Sequence, residues 1–124
     1  MLRLSWVGTR TDAYSSTVGF FRDVLGLPVI EDPGDFTVLE VPDGATVEVF
    51  GPDSPFNRHL TSPVAGFQVA DLAEAERELR DAGVEIVLPR SGGPDRSWLH
   101  FRAPDGHLYE LAEDRTRGGA ALGA

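Results

Sequence analysis

Hydrophobic and polar residues alternate over several short segments of the chain, which is the pattern of half-buried β-strands. In the second half, residues 64–70 (VAGFQVA) alternate in this way, residues 84–88 (VEIVL) form another apolar segment, and residues 97–103 and 107–112 flank a Pro-Asp-Gly turn. Between the first two strands, apolar residues recur at helical spacing: Leu72, Ala75, Leu79 and Ala82. The second half is therefore predicted to run strand, helix, strand, strand, strand.

The predicted helix carries signals for both of its ends. Asp71 can cap the N-terminus, and Glu74 lies where the acidic residue of a capping box lies. Gly83 suits the left-handed residue that ends many helices. After the next strand, residues 90–96 (RSGGPDR) are predicted to form a flexible loop, and Ser91–Arg96 either act as a lid or have no special role.

The first half predicts the same order of elements. Residues 2–10 form a strand, residues 14–26 form a helix that stops at Gly26, residues 27–31 form a strand, and residues 36–41 and 45–50 form a hairpin. One domain of 124 residues then contains a module at about 2–50, a proline-rich linker at 51–63, a module at 64–113 and a loose tail at 114–124. The predicted fold class is α+β, built from two βαβββ modules.

The last hairpin of each module contains the same turn, in VPDGATVEV and in APDGHLYEL. Proline and glycine suit a three-residue loop with a glycine bulge, which fixes the register of the two strands. This register places Val38 opposite Glu48 and His100 opposite Glu110. It also pairs Phe36 with Phe50, Glu40 with Thr46, Trp98 with Ala112 and Arg102 with Leu108. Because the other faces are mostly apolar and should pack under the helices, the two glutamates are predicted to lie on the faces away from the helices.

Composition narrows the function classes. Eleven basic residues against 20 acidic residues give a net charge of −9, which argues against nucleic-acid binding and mildly attracts cationic ligands. There is no cysteine, so no disulfide or thiolate chemistry is expected. No apolar run is long enough to span a bilayer, and the first residues show no secretory signal. We therefore expect no membrane partner and a cytoplasmic location.

The segment TVGFFRDVLGLPV resembles the first-helix signature of the vicinal oxygen chelate superfamily, and FRAPDGHLYEL resembles its closing hairpin. This superfamily contains glyoxalases, bleomycin-resistance proteins, extradiol dioxygenases and fosfomycin-resistance enzymes, and the resemblance covers about residues 2–113. It implies that the two modules form a cup-shaped mixed sheet with the helices on its outer face and one shared cavity inside. It also implies a homodimer.

Enzymes of this superfamily bind one divalent metal ion, typically through histidine on the first strand and glutamate on the last strand of each module. By the resemblance, Glu48 and Glu110 match the glutamate positions, whereas Trp6 and Val64 stand at the histidine positions. Since tryptophan and valine do not coordinate metal ions, two carboxylates and water would hold one only weakly. The expected cofactor is none. The alternative is a divalent metal on the two glutamates, with His100 as a substitute ligand.

Aromatic and polar residues on the faces away from the helices form the predicted binding site. Aromatic rings stack on flat ligands and on cations, and small-molecule sites combine such rings with a few polar groups. The predicted ligand-binding residues are Trp6, Phe36, Val38, Glu48, Phe50, Val64, Trp98, His100, Arg102 and Glu110. If the chain is an enzyme, Glu110 and His100 are the predicted catalytic residues. Otherwise His100 makes a structural hydrogen bond, and the glutamates pair with arginines such as Arg102.

Three functions agree with these residues. The preferred one is a metal-independent, small-molecule binding protein of the bleomycin-resistance type, which sequesters an aromatic or cationic compound and so has an antibiotic-resistance role. The second is a glyoxalase, lyase or dioxygenase-like enzyme with an atypical metal site or metal-free acid–base chemistry. The third is a degenerate module that serves only dimerisation or regulation.

Overall fold

Strands and helices follow the predicted order in the computed structural model, which describes residues 2–116. The first module contains β1 (Arg3–Arg10), α1 (Tyr14–Gly19), β2 (Val29–Glu31), β3 (Phe36–Glu40) and β4 (Thr46–Phe50). The second contains β5 (Val64–Gln68), α2 (Leu72–Asp81), β6 (Glu85–Gly92), β7 (Arg96–Arg102) and β8 (Leu108–Asp114). The α+β class and the two βαβββ modules are therefore confirmed. No helix among residues 2–116 is both long and apolar enough to span a membrane.

Each module has the same strand order and the same predicted hairpin. Of the described residues, 6–64 form one compact unit, and 2–5 with 65–116 form the other. In the first unit the order is β2-β3-β4-β1, and in the second it is β6-β7-β8-β5. The first and last strands of each module are parallel, and the other neighbours are antiparallel. All six strand pairs that the two Pro-Asp-Gly turns predict are confirmed. Next to the turns, the N–H groups of Val41 and Ala103 donate to the carbonyl oxygens of Ala45 and His107 at 2.8 and 3.0 Å.

The apolar faces of the two modules form two hydrophobic cores, as predicted. In the first module Val18 of α1 packs with Leu39, Val47 and Val49 of the strands. In the second module the buried core residues are Val69, Leu72, Leu99 and Leu111. The glutamates of the last strands lie on the other faces because side chains alternate along a strand.

The helices begin and end close to the predicted residues. The Asp71 carboxylate accepts a hydrogen bond from the Glu74 N–H at 3.0 Å, and Gly83 has a φ of 78°, so both ends of α2 are confirmed. The first helix differs in its second part, since a π-helical segment, Phe20–Val24, follows α1. It still stops before Gly26, whose φ is 75°.

The prediction of a flexible loop at 90–96 is wrong. β6 extends to Gly92 and β7 begins at Arg96, so the turn between them contains only residues 93–95. Gly92 has a φ of 111°, and a Cβ there would lie 2.3 Å from the Arg96 carbonyl oxygen. The glycine therefore permits two strands to approach closely at a turn, and the lid hypothesis for Ser91–Arg96 loses its basis.

Residues of the predicted tail hold this turn in place. β8 extends to Asp114, and the Arg115 side chain donates to the carbonyl oxygens of Gly93 and Pro94 at 2.9 and 2.7 Å. The ordered chain therefore continues beyond the predicted start of the tail at 114. The rest of the predicted tail, 117–124, lies outside the described residues.

The linker at 51–63 contains no helix or strand and is fixed to the first unit. The Arg10 guanidinium donates to the carbonyl oxygens of Pro52, Ser54 and Phe56 at 2.8, 2.9 and 3.1 Å. Ser54 is fully buried. The first turns of the linker are thus part of the packed surface of this unit.

Candidate functional site

Three strands build the face of the first module that carries Glu48. β1 contributes Trp6, Gly8 and Arg10, β4 contributes Thr46, Glu48 and Phe50, and β3 contributes Glu40, Val38 and Phe36. Because the strands are in register, these residues form three rows across the sheet, and Gly8, Glu48 and Val38 make the central row. The face brings together five of the predicted ligand-binding residues.

Trp6 and Glu48 are joined across two neighbouring strands. The indole Nε1–H of Trp6 donates to Oε1 of Glu48 at 2.9 Å. The ring lies directly against Gly8, where an added Cβ would be only 2.0 Å from the ring carbon Cη2. Glycine at this position therefore allows the indole to cover its own strand and reach the carboxylate. Gly8 was not among the predicted site residues, although a glycine inside a strand is a signal for such a close approach.

An aromatic cluster occupies one end of the same face. The rings of Phe36 and Phe50 have centroids 6.0 Å apart, and Phe56 of the linker packs edge-to-face on Phe36 at 5.9 Å. Phe50 is only 2% exposed, whereas Phe56 is 54% exposed. Phe50, a predicted ligand-binding residue, is therefore a packed residue. Phe56 was not among the predicted site residues, and its only local signal is that it is a lone aromatic residue in a polar linker.

In the second module, Glu110 lies between Gly66 of β5 and His100 of β7. The Nε2 atom of His100 is 3.0 Å from Oε1 of Glu110, and both side chains are buried. The sequence predicted that these two residues face each other, and this is confirmed. The expectation that an arginine pairs with this glutamate is wrong for Glu110, because the neighbouring histidine takes that place.

Burial controls the protonation of this pair. It raises the pKa of Glu110 to about 8 and lowers the pKa of His100 to about 4, because each charged form loses its hydration. Near neutral pH the protonated Glu110 carboxyl therefore donates to the unprotonated Nε2 of His100. The pair is neutral, and the carboxyl proton of Glu110 is shared with the lone pair of His100 Nε2.

The remaining predicted residues of the second module differ in accessibility. Trp98 is half-buried, and its ring lies about 3.0 Å from where a Cβ on Gly92 would be. Arg102 is exposed and donates to the Glu85 carboxylate at 3.2 Å, so it forms a surface ion pair with an acid outside the predicted site. Val64 begins β5 and is buried. The shared cavity and the binding roles of these residues stay predictions.

A separate pocket of about 550 Å³ lies in the second unit beside the N-terminus of α2. It contains none of the predicted site residues. Its acidic group, Glu113, accepts a hydrogen bond from the Leu72 N–H at 2.8 Å and forms an ion pair with Arg115 at 2.7 Å. Glu113 therefore has a structural role in this pocket, since it joins the N-terminus of α2 to the end of β8.

The glutamates do not fit a metal centre of the kind that the resemblance implies. Glu48 accepts the Trp6 N–H bond, and Glu110 is protonated near neutral pH and bonded to His100. Metal ligands must be deprotonated, and protein sites for divalent ions usually supply three or more of them. Within residues 2–116, no three His, Cys, Asp or Glu side chains come together as a candidate ligand set.

Several solved structures have a similar fold at low sequence identity. A glyoxalase/bleomycin resistance protein/dioxygenase superfamily member from Vibrio splendidus 12B01 is 22% identical with a TM-score of 0.69, covering 92% of this chain and 99% of that one. Methylmalonyl-CoA epimerase from Mycobacterium tuberculosis is 22% identical with a TM-score of 0.70, covering 92% and 89%. A hypothetical protein from Bacillus halodurans C-125 is 19% identical with a TM-score of 0.70, covering 91% and 94%.

The sequence also matches a family model over residues 3–111, which is most of the chain. No curated protein matches it. The family model and the shared fold agree with the superfamily predicted from the first helix and the closing hairpin. The chain belongs to the glyoxalase/bleomycin resistance protein/dioxygenase superfamily.

Proposed function

We propose that the protein binds a small aromatic or cationic compound on the Glu48 face of its first module and needs no metal ion to do so. This is the bleomycin-resistance type of function, in which a compound is sequestered and left unchanged. A homodimer and a role in antibiotic resistance belong to the same proposal and rest on the family resemblance.

The hydrogen bond between Trp6 and Glu48 carries this proposal. It fixes an aromatic ring beside a carboxylate, and both side chains are half-buried. A cation gains from both groups, because the ring face and the carboxylate are each negative. The net charge of −9 adds a general attraction for cations.

Neutral and charged forms of one compound can test the proposal. We expect 4-phenylbutylamine to bind about tenfold more tightly than 4-phenylbutanol, since only the amine is a cation at neutral pH. Tryptophan fluorescence and calorimetric titration measure both affinities. Glu48→Gln keeps an acceptor for the indole but removes the charge, so it should abolish the preference for the amine.

Glu78→Gln is the matched control, because Glu78 is an exposed acid on α2. It removes the same charge from the chain and should leave the preference intact. Equal affinities for the amine and the alcohol in the unmodified protein would contradict the proposal, as would no binding of either.

One observation favours a second function, metal-free acid–base catalysis at Glu110. A carboxyl group whose pKa is about 8 can release and accept a proton near neutral pH, and such perturbed groups concentrate in active sites. Methylmalonyl-CoA is a reasonable test substrate, because an epimerase acting on it shares the fold. Exchange of its carbon-bound proton in D2O, lost in Glu110→Gln, would favour the enzyme over the binding protein.

A further inference from the structure

We propose that Phe56 of the linker forms the aromatic end of the ligand site on the first module. The ligand then carries a cationic group at one end and an aromatic ring at the other. This inference rests on the proposed function and extends it to a residue outside the two hairpins.

Phe56 is the accessible member of the aromatic cluster on this face. It packs edge-to-face on Phe36 at an interplanar angle of 88°, which leaves 54% of Phe56 exposed. Phe50, by contrast, is 2% exposed and offers a ligand almost no surface. A ligand ring that reaches this end of the face therefore meets Phe56 first.

The backbone of Phe56 is fixed on both sides although its side chain is exposed. Its N–H donates to the hydroxyl of the buried Ser54 at 3.2 Å, and its carbonyl oxygen accepts from Arg10 at 3.1 Å. Arg10 holds two further linker carbonyls in the same way. The Phe56 ring thus extends from an anchored segment of backbone. Because this segment is already ordered, less conformational entropy is lost when a ligand binds.

The positions of the charges give the ligand a direction. Arg10 pairs with Phe50 in the row at the aromatic end, whereas Glu48 lies two residues away along β4, about 7 Å at the rise of a β-strand. The guanidinium repels a cation at the aromatic end, and the carboxylate attracts one. A compound with a cationic group at one end and a ring at the other therefore fits the face in one orientation.

A series of phenylalkylamines tests the inference. The probes are benzylamine, 2-phenylethylamine, 3-phenylpropylamine and 4-phenylbutylamine, titrated against the full chain by calorimetry. We expect affinity to rise with the length of the spacer, and Phe56→Ala to lower the affinity for 4-phenylbutylamine by about 3- to 10-fold while changing that for benzylamine little. Phe56→Leu, which keeps an apolar contact with the linker, should lose part of the same affinity.

Phe20→Ala is the matched control. Phe20 is 49% exposed and packs edge-to-face on Phe21 at 5.7 Å, but it belongs to the helical segment of the same module. It should leave the whole series unchanged. An equal effect of Phe20→Ala and Phe56→Ala, or no effect of Phe56→Ala, would overturn the inference.

The outcomes separate this inference from the function on which it rests. If Glu48→Gln abolishes the preference for amine over alcohol while Phe56→Ala keeps the full dependence on spacer length, the function stands and the role of Phe56 is wrong. If no amine binds, both are wrong. Circular dichroism and urea unfolding of each variant show whether a loss of binding comes from a loss of fold.

Discussion

The indole of Trp6 lies on Gly8 of its own strand and donates a hydrogen bond to Glu48 on the parallel neighbour, with Nε1 and Oε1 2.9 Å apart. The family resemblance expects a metal-ligating histidine at position 6. In this chain an N–H group, which cannot coordinate a metal ion, faces the retained glutamate instead. The hydrogen bond gives Glu48 a partner within its own module that is not a metal ion.

Gly8→Ala should break this arrangement. The new Cβ would lie 2.0 Å from the Trp6 ring, so the indole must move and its bond to Glu48 is lost. We expect the free energy of unfolding to fall by about 1 to 3 kcal/mol. Urea denaturation measures the loss, and Trp6 emission, read in a Trp98→Phe background, should shift to longer wavelength. Gly93→Ala is the control, since a Cβ at Gly93 would meet no atom within 4 Å. Unchanged stability and emission in Gly8→Ala would show that the ring does not depend on this glycine.

The buried pair in the second module should make stability depend on pH. Glu110 ionises near 4.5 when unfolded but near 8 when folded, so the stability it contributes is lost as the pH rises through this range. His100 has the opposite dependence, because its pKa falls from 6.5 to about 4 and stability is lost as the pH falls from 6.5 to 4. Between pH 6.5 and 8 the effect of Glu110 dominates. The free energy of unfolding should therefore decline as the pH rises, by up to about 1.4 kcal/mol per pH unit.

Urea unfolding at pH 6.5 and pH 8 measures this decline. Glu110→Gln should remove it, because an amide can donate to His100 without titrating. Glu78→Gln, at an exposed position of α2, should keep it. A decline of equal size in Glu110→Gln and in the unmodified protein would mean that another group causes it.

Arg10→Ala should loosen the linker. It removes three hydrogen bonds from a charged donor to the carbonyls of Pro52, Ser54 and Phe56. We expect a loss of about 1 to 3 kcal/mol in stability and faster cleavage by chymotrypsin after Phe56. Arg58→Ala removes the same charge from an exposed position of the linker and serves as the control. If both variants are cleaved at the rate of the unmodified protein, Arg10 does not hold the linker.

Removal of metal ions should leave the protein unchanged. A ligand that binds only the folded protein raises the melting temperature of the protein. Removal of a resident metal ion would therefore lower the melting temperature. We expect the same melting temperature before and after dialysis against EDTA, and no increase on addition of Zn²⁺, Ni²⁺ or Mn²⁺. Elemental analysis that finds one metal ion per chain, lost in Glu110→Ala, would contradict the metal-free proposal.

Much of the fold could be predicted because its signals are local. The hairpin turns fix strand register through backbone conformation, and Asp71 caps α2 through a hydrogen bond from Glu74, only three residues away. The loop at 90–96 was the exception. Its glycines and proline are typical of a flexible loop, but Gly92 allows a close approach between β6 and β7 that only the paired strands reveal.

The sequence by itself determined the superfamily, the two modules and which residues stand opposite the glutamates, because alternation and turn chemistry act over a few residues. Only the tertiary structure decided what those residues do. The Trp6–Glu48 bond joins residues 42 positions apart, and Arg10 binds carbonyls 42 to 46 positions away. The neutrality of His100 and Glu110 likewise follows from burial, since desolvation depends on everything packed around a group and not on its neighbours in the chain.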